Sequence, residues 1–207
     1  MEDEWLALAK RLQSIASTGA HYTRDAFDRE RYLEIAAIAN RMLARLGNVP
    51  VSRIESLLSD FSQGYATPKV DVRGALLREN RILLMREASD GRWSMPGGFA
   101  DIGKSPRENI EKEIWEEATL RVTATALYGV RHKAKHAYEP DARDFYKLFF
   151  LCEPVDAGDP VPGPETSQVR FFGRDELPEL SRGRTLEADI DAAFAFHADP
   201  RAPVMFD

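Results

Sequence analysis

The chain has a single cysteine, Cys152, in 207 residues. That excludes an internal disulfide and suits a reducing cytosol. Cys152 closes the apolar run Leu148-Phe149-Phe150-Leu151, so it reads as a buried structural thiol rather than a nucleophile. There is no long run of lysine or arginine, and the net charge is −6. A broad electrostatic grip on DNA or on an anionic membrane is therefore not expected. No apolar run approaches membrane-spanning length. The opening residues Met1-Glu2-Asp3-Glu4 are acidic and lack the basic start of a signal peptide, so a cytoplasmic protein is expected. Internal repeats and low-complexity tracts are absent too. What is present is a soluble, globular composition, 43% hydrophobic and 30% charged. The length suits one ordinary domain plus a small one.

The hydrophobic period changes once along the chain. Residues 1–63 read as helical. Trp5, Leu8, Leu12 and Ile15 fall on one helical face, with Gly19 as the stop. A second helix is expected over 25–46, with Ile35, Ile38, Met42 and Leu46 on one face and Gly47 after it. Ser52 and Glu55 form a capping-box pattern ahead of Ile54, Leu57, Leu58 and Phe61. Three short helices make a thin core, so this unit is expected to need a partner surface. Gly64-Tyr65-Ala66-Thr67-Pro68 breaks the pattern. Strands are expected next, through Val70 and Val72, at 75–77 and at 82–85, with Glu79-Asn80 as a turn. Ser105-Pro106-Arg107-Glu108 opens a helix, whose apolar stripe is Ile110, Ile114 and Ala118. Strand-like runs follow at 122–130, 145–152 and 169–172. Thr185 is the expected cap of a last helix through His197. Mixed strands with a helix on each side predict an α/β/α sandwich in 67–207, preceded by a helical unit in 1–66.

The stretch from Gly97 to Ala118 carries the chemistry. A glycine pair makes a tight loop, and the helix that follows holds Glu113, Glu116 and Glu117 at i, i+3 and i+4, on one face. Like charges so close repel, which raises carboxylate pKa values and weakens the helix. A hard divalent cation removes that cost, and oxygen ligands suit Mg2+ or Mn2+. The stretch reads as a loop and helix that hold a metal against a phosphate.

This stretch resembles the Nudix box: glycine, five residues, Glu, seven residues, then Arg-Glu-aliphatic-x-Glu-Glu-x-Gly-aliphatic. Here the box runs from Gly98 to Leu120, with the core Lys112-Glu113-Ile114-Trp115-Glu116-Glu117. Lys104 stands for the loop Glu, Lys112 for Arg and Thr119 for the closing Gly. In the family the loop Glu and the Arg brace the loop on the helix, while the three later Glu bind metal. The resemblance extends to residues 64–73, to Asp90-Gly91-Arg92-Trp93, to 165–172 with Asp175-Glu176-Leu177-Pro178, and to the early run 16–25. These segments look like a Nudix subgroup with a helical N-terminal extension, which includes CDP-choline pyrophosphatase-like and ADP-ribose pyrophosphatase-like enzymes and relaxes the same box positions.

The resemblance implies a metal-dependent hydrolase. It would cleave the pyrophosphate of a nucleoside diphosphate linked to a group X, giving a nucleoside monophosphate and phospho-X. Metal ligands are expected at Glu113, Glu116 and Glu117, with the Gly97 carbonyl completing the sphere as the matching oxygen does in the family. Nudix enzymes often place a second carboxylate in the loop before the last strand. Glu165 lies there and is the candidate base, with Glu116 as its rival. Arg73, Arg92, Lys69 and Lys104 are candidate phosphate contacts. So is His136, in the cluster Arg131-His132-Lys133-Ala134-Lys135-His136, although a solvated loop is the blander account of that cluster. Phe99, Tyr138, Tyr65 and Trp93 are stacking candidates, and for Trp93 a core position is the stronger reading. Arg182 and Arg184 are weaker substrate candidates. The expected partners are a small nucleotide and a second copy of the chain. DNA is not expected, and short RNA ends stay open as substrates. The alternatives are a nucleotide sensor without turnover and an interaction protein acting through its helices.

Overall fold

The computed structural model describes residues 2–59 and 64–207. Two compact units divide them, one formed by the N-terminal part up to Lys69 with Pro140–Phe145, the other by Val70–Glu139 with Tyr146–Asp207.

The first unit holds three helices, α1 (Glu4–Tyr22), α2 (Ala26–Leu46) and α3 (Val51–Leu58). Asp3 caps α1 through the Trp5 and Leu6 N–H groups, and Asp25 caps α2 through Asp28. The helix α1 does not stop at Gly19. It continues to Tyr22, and the Tyr32 ring packs against Gly19 where a side chain would stand. The helix α3 starts at Val51 after Pro50 and has no side-chain cap, so the Ser52 capping box does not form. Phe61 lies outside the described residues. A small core joins Ala9, Leu43, Ala44, Ile54 and Leu58. The apolar stripes read from the sequence point elsewhere. Trp5, Leu8, Leu12 and Ile15 on α1 and Ile35, Ile38 and Leu46 on α2 are all exposed. The inward face of α1 is small and polar instead, with Ala9, Gln13, Ala16, Ser17 and Ala20.

The second unit is a seven-stranded mixed sheet between two helices. Its strands are β1 (Lys69–Arg78), β2 (Arg81–Glu87), β3 (Trp93–Ser94), β4 (Val122–His132), β5 (Phe145–Pro154), β6 (Thr166–Gly173) and β7 (Met205–Phe206). The order is β3-β2-β1-β5-β4-β7, with β6 paired along β2. Glu79 and Asn80 both adopt positive φ, the left-handed turn that suits the twist of a tight hairpin between β1 and β2. Alternation sorts the side chains to the two faces. Val72, Leu76, Leu83 and Met85 meet Ile110, Ile114 and Ala118 of α4 (Pro106–Ala118). Ala75, Ile82 and Leu84 meet Ile190, Ala193 and Phe194 of α5 (Glu187–Ala198). The result is the expected α/β/α sandwich. Cys152 lies in the α4 core, and burial pushes its thiol up to about 12.

Two details of this second unit also differ from the sequence reading. The cap of α5 is Leu186, whose N–H is taken by Asp189, while the Thr185 hydroxyl accepts from the Met95 N–H at 3.0 Å. The two-residue strands β3 and β7 are too short to leave a periodic signal.

Candidate active site

The glycine loop is zipped onto β1. Val72 N–H donates to Gly98 O at 2.9 Å, Gly74 N–H to Pro96 O at 2.9 Å, and Ala100 N–H to Val70 O at 3.0 Å. Gly97 has φ +141°, and a β-carbon there would lie 1.9 Å from Val72 O. Only glycine permits that approach. Beneath the loop, the buried Arg73 clamps Asp71 with two bonds of 2.8 and 3.1 Å and donates to Met95 O at 3.0 Å. Lys147, also buried, lies 3.2 Å from Asp71.

The helix α4 opens with the expected capping box between Ser105 and Glu108. Its first turns fasten the loop by other groups than the family pattern uses. The buried Asn109 accepts from the Asp101 N–H at 2.8 Å and donates to the carbonyls of Lys104 and Ser105. Asp101 in turn receives Lys104 at 3.1 Å and Lys112 at 3.4 Å. At the other end Thr119 takes a left-handed φ of +54°, which is costly for a β-branched residue. Its hydroxyl donates to Val161 O at 3.1 Å.

The carboxylates sit between these fixtures. Glu117 Oε2 accepts the Gly97 N–H at 2.9 Å. Burial lifts the Glu117 pKa to about 8, with Glu113 and Glu87 adding to the rise and Arg73 opposing it. The Glu113 carboxylate lies over Gly98, and burial raises its pKa, with Glu116 and Asp101 adding to the rise. Glu116 is turned aside to Lys112, at 2.6 Å. Among the described residues no three His, Cys, Asp or Glu side chains converge on one ion position. Glu113 and Glu117 nevertheless fit a hard cation. Both are oxygen donors held at the loop, and each carries a burial and repulsion cost that positive charge would remove.

A cleft of about 660 Å³ runs along this helix, lined by Lys112, Glu113, Glu116 and Glu117, by Trp115 and by the 162–165 loop including Glu165. That loop is docked on the end of α4. Val161 N–H donates to Ala118 O at 2.9 Å and Gly163 N–H to Glu117 O at 3.0 Å. A β-carbon on Gly163 would lie 1.7 Å from Glu116 O, so glycine sets how closely Glu165 approaches the helix.

Comparison with known proteins decides the family. Residues 67–194 match the Nudix domain, and residues 3–58 match the family described as UDP-X-like, N-terminal oligomerisation domain. The chain belongs to the Nudix hydrolases. Over all 207 of its residues it is 39% identical to Bacillus subtilis (strain 168) YjhB, provisionally named an ADP-ribose pyrophosphatase, and covers 99% of that protein. Among solved structures, one of a UDP-X diphosphatase is similar over 99% of this chain and 98% of that one, at 29% identity and a TM-score of 0.63. A Streptococcus suis 89-1591 ADP-ribose pyrophosphatase matches 68% of this chain and all of its own, at 35% identity and a TM-score of 0.62.

The Nudix site sorts the candidates read from the sequence. Glu113, Glu116, Glu117 and Glu165 share the cleft, and Gly97 touches Glu117. Two assignments need correction. Arg73 is buried and spent on Asp71 and Met95, so it is a strut of the loop rather than a phosphate contact. Tyr138 is buried with its hydroxyl donating to Asp189 at 2.7–2.8 Å, so its ring is not offered for stacking. His136 pairs with Asp207 at 2.7 Å. Arg92 bonds Glu179 at 2.9 Å and Glu139 at 3.3 Å. Arg182 pairs with Glu187, and Arg184 with Glu87 and Asp90. Lys104 is engaged by Asp101. Phe99 is half-exposed and pairs its backbone with Asp71. Trp93 is in the core against Phe172, as expected. Tyr65 is exposed on the helical unit.

Sequence reasoning did not single out Asp101, Asn109, Gly163 or Lys147. Pro162-Gly163-Pro164 was a readable sign of close backbone approach, and Asn109 beside the apolar stripe a weaker one. The burial of Lys147 left no local signal, because the run Phe145–Cys152 is apolar at consecutive positions and gives no alternation to say which face Lys147 takes.

Proposed function

We propose that this Nudix hydrolase cleaves the pyrophosphate bond of a nucleoside diphosphate linked to a group X, releasing a nucleoside monophosphate and phospho-X. The observation that carries the reading is one cleft that gathers Glu113, Glu116 and Glu117 with Glu165, with Glu117 tied to the glycine loop at Gly97. The names of the relatives, for ADP-ribose and UDP-X, support the substrate class. Glu113, Glu117 and, once turned, Glu116 are the cation ligands, with the Gly97 carbonyl as a fourth donor. A bound Mg2+ or Mn2+ would neutralise diphosphate oxygens and make water more acidic. Glu165 holds the attacking water and accepts its proton, and Glu116 is the competing base. The cleft is acidic, so a diphosphate is repelled unless a cation is bound there.

The helical unit makes a homodimer through the outward faces of α1 and α2. Their exposed apolar residues and the oligomerisation description of the matching family support this. A cytoplasmic location belongs to the same reading. No helix among the described residues is long and apolar enough to cross a membrane. A nucleotide sensor without turnover is the second reading, favoured by one observation, that Lys112 holds Glu116.

Turnover against ADP-ribose, CDP-choline and UDP-sugars, with Mg2+ and with Mn2+, tests the proposal. Release of monophosphates supports it. Tight cation-dependent binding of these compounds without any product moves the chain to the sensor reading.

A further inference from the structure

The cleft lining includes four carboxylates and one ammonium, that of Lys112. Lys112 Nζ stands 2.6 Å from Glu116 Oε2 and 3.4 Å from Asp101 Oδ2. On the helical wheel Glu116 lies between Lys112 and Glu113, so a small swing of its side chain exchanges one neighbour for the other. With Glu116 on Lys112, the three box carboxylates are not gathered on one ion position among the described residues. The Nudix pattern has arginine at this place. Its rigid fork pairs two oxygens at once, whereas lysine is a single charge on a flexible stem and leaves a partner more easily. The pair is also half in solvent, with side-chain exposures of 31% and 50%, so screening keeps it weak enough to break.

We propose that Lys112 is a displaceable counter-ion. It holds Glu116 in the cation-free cleft, gives it up when the α4 carboxylates take a divalent cation, and then serves a phosphate oxygen of the substrate in the same cleft. The inference rests on the reading that those carboxylates bind a cation. Cation and nucleotide then assist each other's binding through one side chain, and the assistance is mutual.

Calorimetric titration tests it without turnover. Mn2+ is titrated into the wild type, Lys112→Met, Lys112→Arg and Lys104→Met. AMP is then titrated into each at saturating Mn2+. Lys112→Met should bind Mn2+ roughly two- to fivefold more tightly than the wild type, the range of a partly exposed ion pair. It should bind AMP at least about fivefold more weakly, because a charge-assisted contact is lost. Lys112→Arg, which keeps the charge and the fold, should bind Mn2+ no more tightly than the wild type. Lys104→Met removes an equal charge that is bonded to Asp101, and should change Mn2+ affinity by less than twofold. Unchanged or weaker Mn2+ binding in Lys112→Met overturns the proposal, and so does an equal gain in Lys104→Met. Unchanged AMP binding overturns its second half. Absence of Mn2+ binding in the wild type overturns instead the cation reading on which it rests.

Discussion

Asp101 shows how a box can lose its usual bracing residues and keep its loop. With lysine at both brace positions, the negative partner is supplied from the loop itself, and Asp101 receives Lys104 and Lys112. Asn109 adds neutral bonds to the same turn. None of this could be read from the box alone, because the brace pairs residues whose distance depends on the folded loop. The three glutamates were legible, since their spacing fixes a shared face whatever else happens. Glu117→Gln and Glu113→Gln should each lower turnover by at least about a hundredfold, as the charge that holds a cation is lost while the shape is kept. Without added cation both variants should melt no lower than the wild type, because burial already disfavours the charged forms. Near-normal turnover in either variant counts against the assignment. A second titration lies under the loop. Asp71 has its pKa held down by Arg73 and Lys147 against the effect of burial, yet burial lowers Lys147 to about 8. The two directions agree once Arg73 is seen as the main partner of Asp71, with the shorter, double bond. Lys147 is therefore less protonated in the folded than in the unfolded chain between about pH 8 and its ordinary value near 10.5. The wild type should gain stability relative to Lys147→Met as pH rises through that window, read from urea midpoints. A loss over the same range would contradict the burial of the charge.

Elements were legible where the period was long. The strands β1, β2, β4, β5 and β6 and the helix α4 follow from apolar runs, alternation or capping, and they place the site. Helix ends were less legible. Gly19 looked like a stop, but the close packing of Tyr32 uses it as a contact. The 161–165 loop is the element on which the candidate base depends, and its anchor is Gly163. Gly163→Ala would push a methyl group into the Glu116 carbonyl and lift the loop from α4. Turnover should fall about ten- to a hundredfold, the scale of an ångström of misplacement. The sheet and its two cores should still fold, as near-ultraviolet circular dichroism would show. Full activity in this variant would mean that the loop position does not matter to the reaction.

At the scale of the molecule, the helical unit and the Nudix sandwich differ in what they leave uncovered. The sandwich buries its stripes on both faces of the sheet. The helical unit leaves Trp5, Leu8, Leu12 and Ile15 in solvent, the very residues whose spacing marked them as an apolar face. The sequence showed the stripe but not its direction, because periodicity is the same whether the partner is the same chain or another. Leu12→Glu with Ile15→Glu should convert a dimer to a monomer by light scattering and leave the helical content unchanged. A wild type that is monomeric at tens of micromolar contradicts the dimer outright. The reaction itself is read from its products. The products formed from ADP-ribose, CDP-choline and a nucleoside triphosphate are identified by phosphorus NMR in heavy-oxygen water. A nucleoside monophosphate and phospho-X, one of them carrying the label, are predicted from the diphosphate substrates. Inorganic pyrophosphate released mainly from the triphosphate would contradict the account.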